Sequence, residues 1–187
     1  AGKLDKDRNL IADFKSAGLS YAPDKTSMDA INPLQTDKIL GLFAYSNMNV
    51  ALDKIDGRRG KKNGVKGSVV DDFGFPDQPM LEEMTAKALE VLAQHKNGFF
   101  LFVEAASIDK QAHNMDTERW IMDTIEFDNA IRIGKSFAEK RGDTLVIVTA
   151  DHEVSGVSLI GGSMVSDSKL VELVKDGGVA NLRDKVV

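Results

Sequence analysis

The chain has 187 residues, a formal net charge of −5 and 42% hydrophobic residues, enough for one domain with a sizeable core. Its basic residues form no stripe, so the composition gives little support to nucleic-acid binding. The absence of cysteine excludes disulfides and thiolate metal ligands, and no apolar run approaches the ~18 residues of a membrane span.

The first quarter of the chain alternates helix signals with strand signals. Apolar residues at helical spacing, stopped by Gly18, indicate the first helix, and Asp24 or Thr26 caps the second. The predicted elements are a helix over 8–17, a strand over 20–22, a helix over 24–30 and a buried strand over 38–44. Such alternation favours an α/β sheet.

Residues 45–78 have the composition of a long surface excursion, because Asn, Asp, Gly, Lys and Arg dominate there. Loops of this length in compact domains tend to be functional or mobile. The basic cluster Arg58–Lys62 either attracts an anionic substrate or is a solvated part of the loop. Pro79 then opens a helix whose apolar stripe extends to Leu92.

Two apolar strands with a long helix between them organise the second half of the chain. Phe99 to Val103 and Leu145 to Val148 read as buried parallel strands, and an apolar helical face predicts a helix over 117–141. A helix between two such strands makes a parallel crossover, so both strands end at the same edge of the sheet. The predicted fold class is α/β, with a mostly parallel sheet flanked by helices.

Five potential metal ligands follow these two strands, where α/β folds place their chemistry. Glu104 ends the first strand, and Asp109 and His113 lie one helical turn apart after it. Asp151 and His152 directly follow the second strand. Alternatively, Asp109 only caps a turn and His113 is a surface residue. Three carboxylates and two imidazoles exceed one tetrahedral site and indicate two or three ions, as in in-line phosphoryl transfer.

Several motifs resemble the second half of bacterial alkaline phosphatases, in the order and at the spacing of that family. The matching segments are Gly41–Met48, Met84–Glu90, Glu104–His113 and Val146–His152. The resemblance covers roughly Asp5 to Ile160, and it implies a partial three-layer α/β sandwich for residues 1–160. Residues 161–187 match poorly, and we interpret them as a variable insertion or the start of the surface crown region.

Residue by residue, the resemblance implies two zinc ions (Zn2+) and one magnesium ion (Mg2+). Glu104 would ligate magnesium. Asp109 and His113 would hold the first zinc, Asp151 and His152 the second, and Lys110 matches a position near the phosphate. The resemblance further implies a phosphomonoester substrate, a homodimer in the full-length parent, and a periplasmic or secreted location, although the polar start carries no signal-peptide pattern.

The departures from the family concern the rest of its active site. Its nucleophilic serine and its phosphate-clamping arginine come from an earlier segment, and no histidine follows His152 to complete the first zinc site. We therefore expect about half of a metal cage and no turnover by this chain alone. Two alternatives stay open: a phosphodiesterase or phosphoglycerate mutase of the same superfamily, and a non-catalytic metal-binding or assembly module.

Overall fold

The computed structural model describes residues 8–55 and 77–154, together with residues 156, 168 and 172. Its elements in chain order are α1 Leu10–Ser16, β1 Ser20–Ala22, α2 Lys25–Ala30, β2 Ile39–Gly41, α3 Ala51–Asp53, α4 Leu81–Leu92, α5 Ala106–His113 and α6 Thr117–Arg141. The predicted α/β class is confirmed. Within these described ranges, no helix is both long enough and apolar enough to cross a membrane.

Strands β1 and β2 form a small parallel sheet that carries the apolar core. Their register pairs Ser20 with Ile39, Tyr21 with Leu40 and Ala22 with Gly41. The connection between them runs through α2 and a 3-10 turn at Pro33–Gln35, because parallel strands need a crossover. The core consists of Ala22, Met28 and Phe43, with Ile31, Met48 and Met84 packed against it.

Local signals at the helix ends account for the accuracy of the helix predictions. The Asp24 carboxylate accepts a hydrogen bond from the backbone N–H of Ser27 at 2.7 Å, which confirms it as the cap of α2. Asp116 caps α6 in the same way through the N–H of Arg119 at 3.2 Å. Gly142 ends α6 with a φ of 71°, a left-handed conformation that glycine adopts without steric cost.

The long helix α6 buries a partly polar face rather than the apolar face that its sequence predicts. Asp123, Glu126 and Ala130 are its buried residues, whereas Ile121 and Ile125 are exposed. The reason is that its two buried carboxylates accept hydrogen bonds from backbone N–H groups of other segments, which apolar side chains could not do. Helix α6 contacts α3, α4 and α5, so it joins most of the helices that the structure describes.

A buried ion pair joins α6 to the segment after α3. The ammonium of Lys54 lies 2.8 Å from Glu126 Oε1 and also donates a hydrogen bond to the carbonyl of Pro79 at 3.2 Å. The same Glu126 oxygen accepts the backbone N–H of Leu81, at the start of α4, at 2.9 Å. A single carboxylate therefore fixes both the segment after α3 and the first turn of α4.

The two predicted strands 99–103 and 145–148 do not pair in the part of the chain that the structure describes, where β1 and β2 form the sheet. Their exposure still alternates with the two-residue period of a strand, and Phe100, Phe102, Leu145 and Ile147 are 86%, 73%, 83% and 77% exposed. The prediction of buried parallel strands is wrong here, because a strand needs a hydrogen-bonded neighbour and no described segment provides one.

The predicted surface excursion over 45–78 differs from the structure at both of its described ends. Val50, Ala51, Asp53 and Lys54 are buried, as is Gln78. Polar composition was misleading because Asp53 and Lys54 are buried in ion pairs with α6, and Gln78 is buried while it accepts the backbone N–H of Asn49. The basic cluster Arg58–Lys62 lies outside the described residues, as does the interpreted insertion 161–187 apart from residues 168 and 172.

We expect Lys54→Met to lower the free energy of unfolding by about 3–5 kcal/mol, because it leaves the buried Glu126 carboxylate without its ion-pair partner. Urea denaturation followed by circular dichroism measures the change. Lys135→Met on the exposed side of α6 is the matched control and stays close to wild type. Adding Glu126→Gln to Lys54→Met recovers part of the loss, since the amide oxygen still accepts the Leu81 N–H. Equal stabilities of the single variant and wild type would contradict the buried pair.

Candidate metal centre

One carboxylate oxygen on α5 lies between two imidazoles. Oδ1 of Asp109 is 3.4 Å from Nε2 of His113, which lies one helical turn further along α5. The same oxygen is 3.7 Å from Nε2 of His152, which follows the apolar segment beyond α6. The structure therefore brings Asp109 and His113, which follow the first apolar segment, close to His152, which follows the second.

Asp151 extends this cluster on the side of His152. Its Oδ2 lies 3.3 Å from Nε2 of His152, and its Oδ1 accepts the backbone N–H of His152 at 2.9 Å. The side chains of Asp109, His113, His152 and Asp151 are 43%, 62%, 49% and 86% exposed, so solutes reach them freely. Nε2 of His152 faces carboxylates from two segments at once.

The donor set of this cluster fits zinc chemically. Ligands that lie about 2.0–2.2 Å from a tetrahedral zinc are roughly 3.3–3.6 Å apart from one another, close to the carboxylate–imidazole separations here. Nevertheless, the described residues contain no group of three or more His, Asp or Glu side chains arranged to hold an ion. The described residues thus provide pairs of neighbouring potential metal ligands, and they do not form a complete metal site.

Glu104 stands apart from the other predicted ligands. It is exposed, and within the described part of the chain no hydrogen bond or ion pair joins it to Asp109, Asp151 or either histidine. It ends the segment 99–103, whose strand partners the described residues do not include. Its predicted role as a magnesium ligand stays a prediction.

Lys110 extends from α5 toward the loop that follows β2. Its Nζ donates a hydrogen bond of 2.8 Å to Oδ1 of Asn47, a residue that sequence reasoning missed. The missed signal was that Asn47 belongs to Gly41–Met48, one of the segments that resemble alkaline phosphatases. Lys110 directly follows Asp109, so its ammonium is attached to the same turn of helix as the carboxylate between the two imidazoles.

Two buried side chains hold the loop that carries Asn47. The backbone N–H of Asn49 donates to Oε1 of Gln78 at 2.7 Å, and the N–H of Ala51 donates to Oδ1 of Asp123 at 3.0 Å. Gln78 and Asp123 are only 1% and 2% exposed. The loop is therefore held by hydrogen bonds to two polar side chains that are shielded from water.

A second ion pair supports the same segment from α6. The guanidinium of Arg119 donates to both carboxylate oxygens of Asp53, at 3.1 and 3.3 Å, and also to Asp116 at 2.9 Å. These hydrogen bonds, above all the one to Asp53, raise the pKa of Arg119 above its usual value. Arg119 is consequently a permanent cation at this junction.

Burial raises the pKa of Asp123 to about 6, although the hydrogen bond from Ala51 opposes the rise. Repulsion by Glu126 adds to the rise, and attraction by Lys54 reduces it. Among the described residues, Oδ2 of Asp123 has no hydrogen-bond partner. Sequence reasoning missed Asp123, but the signal was present: residues 123, 126 and 130 share one helical face, and two of them are acidic.

An α/β chain with a cluster of carboxylates and imidazoles after its apolar segments is typical of metal-dependent hydrolases. The sequence profile of the alkaline phosphatase family matches residues 1–178. Alkaline phosphatase 4 of Bacillus subtilis is 37% identical over 154 residues, which are 82% of this chain and 28% of that protein. Alkaline phosphatase of Escherichia coli K12 is 38% identical over 78% of this chain and 31% of its own length. The chain belongs to the alkaline phosphatase family.

Two further comparisons agree with this membership. Streptomycin-6-phosphate phosphatase of Streptomyces griseus is 34% identical over 78% of this chain and 33% of its own length. The crystal structure of a cold-active alkaline phosphatase from a psychrophilic Shewanella superposes with a TM-score of 0.66 and 28% identity, over 93% of this chain and 38% of that one. The chain thus spans about a third of the length of the relatives that it matches.

The raised pKa of Asp123 predicts a specific pH dependence of stability. Folding moves this pKa from 3.8 to about 6, so the folded state disfavours the ionised carboxylate. The contribution of Asp123 to the free energy of unfolding is therefore largest below about pH 4, falls by roughly 2–3 kcal/mol as the pH rises to about 6, and stays constant above that pH.

Urea denaturation between pH 4 and 8 measures this slope. Asp123→Asn removes the contribution of the carboxylate and flattens the fall, whereas Asp128→Asn, at an exposed position of the same helix, keeps it. A slope in Asp123→Asn as steep as in wild type would assign the pH dependence to another group.

Proposed function

We propose that this chain forms part of a metal-dependent phosphomonoester hydrolase, with Asp109, His113, Asp151 and His152 in its metal centre. The observation that carries the proposal is the position of Asp109 Oδ1 between the imidazoles of His113 and His152, in a chain of the alkaline phosphatase family. The matched relatives are about three times longer, so the activity belongs to a protein larger than the matched region.

The assignment of ions follows the similarity to the family. Asp109 and His113 would hold one zinc ion. Asp151 and His152 would hold a second zinc ion, and Glu104 a magnesium ion. Such ions, when bound, supply Lewis acidity toward phosphoryl oxygens. The mixed carboxylate and imidazole donors support zinc at the first two positions, since zinc accepts both kinds of ligand.

The chain's own residues would bind and orient the phosphoryl group. The ammonium of Lys110, on the same turn of α5 as Asp109, would attract the phosphate oxygens. The substantial exposure of all four clustered ligands leaves room for a substrate beside them. We assign no nucleophile to this chain, and we propose that the serine comes from the part of the protein that the longer relatives carry outside the matched region.

Phosphomonoesters are the proposed substrate class. Members named for this activity match the chain over about four fifths of its length, and one is named for streptomycin 6-phosphate. A periplasmic or secreted location and a homodimeric full-length protein belong to the same proposal and rest on the family resemblance. A non-catalytic metal-binding module is the second candidate, favoured by the incomplete cage within the described residues.

Zinc binding tests the candidate metal centre independently of catalysis. We expect Asp109→Asn to weaken zinc binding to this chain at least ~10-fold, because its oxygen neighbours both imidazoles and the amide is a far poorer ligand. Isothermal titration calorimetry measures the affinity. Glu153→Gln, an exposed carboxylate beside His152, is the matched control and leaves the affinity unchanged. Equal losses in both variants would mean that zinc binds nonspecifically to acidic surface groups.

Hydrolysis of p-nitrophenyl phosphate at alkaline pH, with zinc and magnesium, tests the proposed activity. We compare this chain alone with a chimera in which it replaces the matched region of the Bacillus subtilis enzyme. The chimera hydrolyses the monoester, the chain alone does not, and Asp109→Asn lowers the chimera's kcat/KM by at least ~100-fold.

Each other result has a defined meaning. A folded chimera that prefers bis-p-nitrophenyl phosphate would assign the chain to a phosphodiesterase. A folded chimera that hydrolyses neither ester would favour the non-catalytic module. Turnover by the chain alone, lost in His152→Ala, would show that the chain contains its own nucleophile.

A further inference from the structure

The contact between Lys110 and Asn47 joins α5 to a loop more than sixty residues away in sequence. Nζ of Lys110 lies 2.8 Å from Oδ1 of Asn47, and the structure shows no carboxylate paired with this ammonium among the described residues. Lysine side chains are flexible, and an isolated ammonium on α5 would sample many rotamers. The amide oxygen of Asn47 selects one of them.

Asn47 is suited to this task because its loop is held rigidly. The next hydrogen bonds along the backbone end on the buried side chains of Gln78 and Asp123, at 2.7 and 3.0 Å. Residues 53 and 54 are in turn tied to α6 by their ion pairs with Arg119 and Glu126. The exposed Asn47 thus lies on a loop that is fixed to α6, and α6 also contacts α5.

We propose that Asn47 is a positioning residue for Lys110. Asn47 holds the Lys110 ammonium at the place where this ammonium contacts the phosphate group of the substrate. The contact between Asn47 and Lys110 is observed in the structure, whereas the role of the phosphate rests on the proposed function. Asn47 itself touches neither metal nor substrate in this proposal, because it acts through Lys110 alone.

The neutrality of the asparagine matters for this role. An amide oxygen accepts a hydrogen bond from the ammonium and leaves its full positive charge available to an anionic substrate. A carboxylate in the same place would hold the ammonium equally well but would compensate its charge. Asn47→Asp therefore separates positioning from charge: the contact persists, while the attraction for phosphate weakens.

The contact itself is tested on this chain by limited acylation with acetic anhydride, followed by peptide mass spectrometry. Acylation requires that the amine leave its hydrogen bond and approach the anhydride, so an amine held by a hydrogen bond reacts slowly. The rate of Lys110 relative to the exposed Lys135 in the same sample rises about three- to tenfold in Asn47→Ala, the range expected for loss of one hydrogen bond. It does not rise in Asn47→Asp, because the carboxylate holds the ammonium at least as strongly as the amide does. Asn49→Ala is the matched control, because its side chain makes no hydrogen bond within the described residues, and it stays at the wild-type ratio.

The consequence for the substrate is tested in the active chimera with p-nitrophenyl phosphate. Asn47→Ala and Asn47→Asp both raise KM about three- to tenfold, whereas Asn49→Ala leaves KM unchanged. Asn47→Ala in a Lys110→Ala background has no further effect, since a residue that acts only through Lys110 is silent once Lys110 is gone. If Asn47 had only a structural role, Asn47→Ala would lower stability and kcat, whereas Asn47→Asp would keep both at their wild-type values.

Three outcomes overturn the inference in distinguishable ways. An unchanged acylation ratio in Asn47→Ala would show that the contact does not hold Lys110. A changed ratio with an unchanged KM in the active chimera would show that the held ammonium does not meet the phosphate. A folded but inactive wild-type chimera would overturn the proposed function and the phosphate part together, and the acylation ratio would then decide the contact alone.

Discussion

Two carboxylates buried on α6 hold together segments that are distant in the sequence. Glu126 binds the ammonium of Lys54 and the first turn of α4, and Asp123 binds the backbone of α3. Burying such groups is costly unless every charge and N–H group has a partner. The buried polar groups of helix α6 therefore fix the positions of the loops that border the candidate site.

Helix α5 presents two kinds of group in different directions. Asp109 and His113 lie one turn apart and share a face, whereas Lys110 follows Asp109 by about 100° around the axis. The donor pair consequently faces His152, while the ammonium extends to the loop after β2. One short helix thus separates groups suited to bind cations from a group suited to bind an anion.

The sequence predicted those features that depend on local rules. The cap at Asp24, the stop at Gly142 and the spacing of Asp109 and His113 each involve a few consecutive residues, so they are readable without a structure. The approach of His152 to Asp109 was predicted from the crossover rule. The burial of residues 50–54, the polar face of α6 and the contact of Asn47 were missed, because each depends on a partner distant in the chain. Strand pairing at 99–103 failed for a related reason, since a continuous apolar run predicts a strand and leaves its neighbour unspecified.

The exposed apolar side chains at 100, 102, 145 and 147 have a practical consequence for anyone who handles this polypeptide. Two β-prone runs without a described strand partner are templates for pairing with identical runs of other molecules. Their wet aromatic and aliphatic surfaces would bind hydrophobic dyes and favour association at high protein concentration. The yield of soluble material will therefore depend on concentration and on how quickly these edges meet a matching strand.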